Sequence, residues 1–109
     1  MTRVPHAAGG RGKRRPAVVV QADRYNRSER HILVAEITSN LTRAADPAHL
    51  LIELATQEGQ ATGLAQDSVV TCLQLATISE DRISTVIGKL SPALLAKLND
   101  CLKAALEIP

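Results

Sequence analysis

A chain of 109 residues with 45% hydrophobic content is sized for one domain that buries roughly two thirds of its unfolded surface, so it needs no metal or disulfide staple to fold. Tyr25 is the only aromatic residue, so the core must be aliphatic and nucleic acid must be recognised by charge and hydrogen bonds, not by a platform of stacked rings. The net charge of +2 hides an asymmetry: up to Arg30, the cations Arg3, Arg11, Lys13, Arg14, Arg15, Arg24, Arg27 and Arg30 face only Asp23 and Glu29, giving +6 against −4 in the remainder, and such an end attracts a polyanion.

Residues 1–12 are rich in Gly, Pro and Ala without periodicity and read as a flexible basic arm. Pro16 opens the β-branched run 17–21, the first strand, at a point where the ladder has not begun. Residues 22–29 are polar and turn-like. In the second strand, 31–38, Ile32, Val34 and Glu36 alternate with Leu33, Ala35 and Ile37. Both faces are largely apolar, which places this strand centrally in its sheet.

A break at Ala45-Asp46-Pro47 precedes a third strand over 49–54. Residues 56–66, with Gly59 and Gly63, read as a long loop; 68–75 is a fourth strand, 79–82 a helical turn, and 84–90 a weaker fifth strand. The last element is the clearest. Ser91 is a good N-cap, and Pro92 sits at the first helical position, where its missing donor costs nothing. Leu94, Leu95, Leu98, Leu102, Ala105 and Leu106 form one apolar stripe opposite Lys97, Asp100, Lys103 and Glu107, so this face must cover an open end of the sheet.

Cys72 and Cys101 have no CxxC or His/Cys spacing around them, which argues against zinc and for two structural thiols in a reducing cytoplasm. No apolar stretch approaches the ~20 residues that span a bilayer, and no signal-peptide core follows the basic N-terminus.

Arg15 and Thr38 mark strand ends that meet at one edge of the sheet if the first two strands pair as a broad hairpin. A rigid fork of donors and a rotatable hydroxyl together suit a phosphate. The same residues carry a resemblance. Lys13-Arg14-Arg15-Pro16-Ala17-Val18-Val19-Val20-Gln21, Asp23 with Asn26, Ile37-Thr38, Asp67-Ser68-Val69-Val70 and Gln74-Leu75-Ala76-Thr77-Ile78 follow in the order found in MazF/PemK toxins, which this chain resembles from about residue 13 onward. The resemblance implies a mainly β fold with a C-terminal helix, an SH3-like small barrel of the MazF/CcdB type. It also implies a homodimer and an endoribonuclease that needs neither metal nor cofactor and is inhibited by a cognate antitoxin.

Cleaving RNA in this way requires the 2′-hydroxyl to attack phosphorus, with donors waiting where negative charge develops. The resemblance assigns Arg15 to stabilise that charge, with protonation of the leaving 5′ oxygen as a second role, and Thr38 to hydrogen-bond a phosphoryl oxygen. Taken singly, Arg15 is a surface cation beside a proline and Thr38 a strand-end hydroxyl; their joint spacing makes the pair. Arg11, Lys13, Arg14, Arg24, Asn26, Arg27 and Gln74 are the expected RNA-binding residues.

Two departures stand out. No general base is evident: His6, His31 and His49 are each expected at the surface away from Arg15, and the loop before Arg15-Pro16 lacks the acid or histidine that the family often carries there. Residues 1–12 also lack the family's opening strand, which would leave a neighbouring strand with an unpaired edge. Three functions stay open: an active ribonuclease toxin; an inactive or truncated homologue binding antitoxin, RNA or gyrase; and a basic nucleic-acid-binding domain unrelated to toxins.

Overall fold

The computed structural model describes residues 5–10, 13–26 and 29–109. Strands β1 (Pro5–Gly10), β2 (Lys13–Val19), β3 (His31–Thr38), β4 (His49–Ile52), β5 (Ser68–Ser79) and β6 (Ile83–Val86) form one antiparallel sheet in the order β4-β5-β3-β2-β1-β6. Short helices α1 (Asp23–Asn26) and α2 (Gln57–Ala61) interrupt the chain, a single 3-10 turn spans Glu80–Arg82, and α3 (Pro92–Leu106) closes it. The mainly β architecture with a C-terminal helix is therefore as expected, and β3 is central, between β5 and β2.

Alternation along β2 and β3 divides the apolar residues between two faces. Val18, Val20, Ala35 and Ile37 join Leu50, Ile52, Val70 and Cys72 beneath α3, which contributes Leu94, Leu98 and Cys101. Ala17, Val19, Ile32 and Val34 form a smaller cluster of their own. Helix α3 begins as its sequence dictates: the Ser91 hydroxyl accepts from the Leu94 N–H at 3.2 Å, with Pro92 in the first turn. Both cysteines are buried in the larger cluster, as small apolar side chains.

Three expectations need correction. Within the expected flexible arm 1–12, where the opening strand is expected to be missing, Pro5–Gly10 form β1, paired along six residues with β2 and, across a bulge, with β6; 1–4 and 11–12 lie outside the described residues. Alanine and glycine have little strand propensity of their own; hydrogen bonds from both neighbours override it here. The stretch 56–66 is not all loop, because the Thr56 side chain accepts from the Gly59 N–H at 2.9 Å and starts α2. His49 is buried, not at the surface, and its Nδ1 lies 3.4 Å from Asp46 Oδ1.

Strands β4 and β6 are the hydrogen-bonded edges, and the segments following them meet. Lys89 N–H donates to Ala61 O at 3.0 Å. Gly63, at φ 74°, and Gly88 permit that approach: a Cβ on Gly63 would stand 1.9 Å from Ile87 O, and one on Gly88 2.3 Å from Thr62 O. The turn at Gly63 sends the chain back as the 64–67 loop, pinned where Leu54 N–H donates to Asp67 Oδ1 at 2.8 Å.

Leu98 is fully buried at the centre of α3's contact with the sheet, and Leu98→Ala should destabilise the fold by about 2–5 kcal/mol in denaturant titration. The Asp46 carboxylate is held below its ordinary value of 3.8, chiefly by the Ala48 N–H that it accepts and then by His49 and Arg43. A depressed acid stabilises above its unfolded pKa and loses that contribution as pH falls through the native one. Asp46→Asn should therefore flatten the acid side of the stability–pH curve below about pH 4, measured by thermal unfolding.

Candidate active site

Ala17 pairs with Glu36, Val18 with Ala35 and Val19 with Val34, so the same register carried two residues further sets Arg15 across from Thr38. Both line one cleft of about 400 Å³, whose other wall is the 64–66 turn with Ser68. The Thr38 hydroxyl accepts from Asn40 N–H at 3.1 Å, which uses a lone pair and leaves its own proton to be donated. Asn40 is fixed in turn by Thr42, whose N–H and hydroxyl both donate to its side-chain oxygen.

Period-2 alternation puts Glu36 on the face that carries Thr38, and a long side chain on β2 can reach the residue diagonal to it. The result is a loose ion pair: Arg15 Nη1 lies 3.9 Å from Glu36 Oε1, with the side chains 70% and 47% exposed. Such a pair in water is worth about 0–1 kcal/mol.

A second cleft, about 260 Å³, shares Arg15 and Pro16 with the first and adds Glu36, Gln74 and the apolar side of β5. Gln74 arrives there through a bulge. Ala35 pairs with Leu75 but Glu36 with Thr71, so the register shifts by three residues of β5 between them. A bulge of this kind bends the strand and re-aims its side chains. The two clefts flank Arg15 and Pro16, and the guanidinium stands between them.

The structure thus brings together Arg15, Thr38 and Gln74 from the expected set. Lys13 and Arg14 occupy β2 just before Arg15, opposite Gly10 and Gly9 of β1. Arg24 and Asn26 lie at the far end of the β2–β3 hairpin and line neither cleft; Arg24 stacks over Tyr25 at 5.3 Å, and Asn26 Nδ2 donates to Gln21 O at 3.4 Å. Arg11 and Arg27 fall outside the described residues. Glu36 was missed, although a lone acid at i−2 from Thr38, breaking the apolar row Ile32–Val34, was visible in the alternation.

A small curved sheet capped by one helix, with a cation and a hydroxyl facing across a rim cleft, defines a compact toxin-like β domain able to hold a phosphate. The chain belongs to the PemK-like, MazF-like toxins of type II toxin–antitoxin systems, a family matched over residues 1–106. It is 30% identical to endoribonuclease MazF6 of Mycobacterium tuberculosis, over 95% of this chain and 88% of that protein. It is 29% identical to endoribonuclease EndoA of Bacillus subtilis, over 95% and 85% respectively. Among solved structures, M. tuberculosis toxin MazF-mt6 superposes with a TM-score of 0.80 at 23% identity, covering 97% of this chain and 98% of that one. A mycobacterial endoribonuclease in complex with its cognate antitoxin gives 0.77 at 19% identity, covering 97% and 93%. These two likenesses bear on the fold. No helix among the described residues is long and apolar enough to cross a membrane.

Proposed function

We propose that this chain is the toxin of a type II toxin–antitoxin pair and an endoribonuclease that cuts single-stranded RNA by attack of the 2′-hydroxyl on the adjacent phosphorus. The observation that carries this reading is the shared cleft of Arg15 and Thr38. Family membership and the naming of its relatives as endoribonucleases support it.

In this mechanism the scissile phosphate lies at Arg15. The guanidinium offers two parallel donors to the phosphoryl oxygens, and Thr38 offers the hydroxyl proton left over from its bond with Asn40. Both act most strongly where charge builds in the transition state. The leaving 5′ oxygen takes its proton from solvent. The cations Arg11, Lys13, Arg14, Arg24 and Arg27 add to the attraction of the RNA backbone. Gln74 contacts the nucleotide beside the break.

The protein works in the bacterial cytoplasm as a homodimer held in check by a cognate antitoxin. Half-exposed Leu73 and Val86 are apolar surface available for such contacts. Of the two grounds for an inactive module, the missing first strand and the lack of an evident general base, β1 removes the first.

Purified protein should cut single-stranded RNA in EDTA and leave a 2′,3′-cyclic phosphate, identified by mass spectrometry. Arg15→Ala should lower the single-turnover rate about 10²–10³-fold, and Thr38→Val less, as expected for removing donors to a developing oxyanion. Unchanged cleavage by Arg15→Ala would reject the assignment.

A further inference from the structure

Attack by the 2′-hydroxyl needs a proton acceptor, and the two clefts narrow the choice. Among the described residues lining them, Glu36 alone carries a carboxylate, and none is histidine. His31 starts β3 at the end opposite Thr38, roughly 20 Å away at strand rise. The His49 imidazole is buried against Asp46. Glu36, by contrast, stands one alternation from Thr38 on the same strand and 3.9 Å from the Arg15 guanidinium.

A carboxylate in this position runs against the binding of a polyanion. It repels the phosphates that Lys13, Arg14 and Arg15 attract, and its exposed pair with Arg15 contributes little to the fold. Glu36 thus hinders substrate binding and does little for stability, yet it lines a cleft that shares Arg15 with the cleft of Thr38. We propose that the Glu36 carboxylate is the general base that takes the 2′-hydroxyl proton. This rests on the reading of the chain as a ribonuclease.

As the 2′ oxygen bonds to phosphorus, its proton passes to Glu36 and the bond from phosphorus to the 5′ oxygen breaks. The departing oxygen takes a proton from water, and Glu36 returns its own to the hydroxide formed, which regenerates the carboxylate. The ion pair with Arg15 keeps Glu36 aimed along the groove until phosphate claims the fork. Among the described residues that line its cleft or pair with it, Arg15 on β2 is the one charged neighbour; Thr71 and Gln74 on β5 and Val34 on β3 are uncharged.

The test compares wild type, Glu36→Gln, Glu36→Asp and Arg15→Ala in single-turnover cleavage of one RNA across pH. Binding of the same RNA, blocked by a 2′-deoxy nucleotide at the cut, is measured alongside. Glu36→Gln keeps an acceptor for Arg15 and loses only proton uptake. It should cleave about 10²–10⁴-fold more slowly, bind the blocked RNA as tightly as wild type or more tightly, and lose the unit-slope acid limb of the pH profile. Glu36→Asp should recover part of the rate together with that limb.

If Glu36→Gln keeps the wild-type rate and pH profile while Arg15→Ala is crippled, the base assignment fails and the ribonuclease reading stands. If Glu36→Gln loses rate but keeps the acid limb, Glu36 only positions Arg15 and the proposal is equally overturned. A wild-type chain inert toward RNA overturns both.

Discussion

The register of β2 against β3 is the constraint from which the site follows. Ala17 facing Glu36 decides at once that Arg15 approaches Thr38, that Glu36 lies diagonal to the guanidinium, and that Val18 and Ala35 point the other way into the core. A slip of one residue would exchange the faces, burying charged groups under α3 and exposing aliphatic ones. The apolar residues of the two clusters therefore hold the chemistry in place, because the same alternation that fills the core aims the polar side chains at the rim.

A second determinant is the way the sheet is kept from presenting open flanks. β1 covers one side of β2, and the segments after β4 and β6 meet where Gly63 and Gly88 let two backbones approach. That junction also builds the 64–66 wall facing Arg15 and Thr38, so the folding device and the cleft share a boundary. On the other side of Arg15, the β5 bulge swings Gln74 into the second cleft. An irregularity on each side turns a flat strand edge into a groove.

The electrostatics of the groove are deliberately loose. Arg15 and Glu36 are half-solvated and separated by 3.9 Å, so neither is committed to the other when a phosphate arrives. Tighter pairing would occupy the donor fork that a phosphate needs. Lys13 and Arg14 precede Arg15 on β2, in keeping with the charge asymmetry of the chain.

The sequence by itself determined α3 and the central place of β3. Those features depend on local periodicity and on a capping serine followed by proline, which are written in neighbouring residues. Three others were decided only in the tertiary structure. β1 is a strand because β2 and β6 bond to it from both sides, and nothing in Ala7-Ala8-Gly9-Gly10 announces that. Gln74 reaches the cleft because β3 and β5 differ in length across a bulge. Glu36 meets Arg15 because a register between residues distant in sequence brought them together, and local composition carries no record of register.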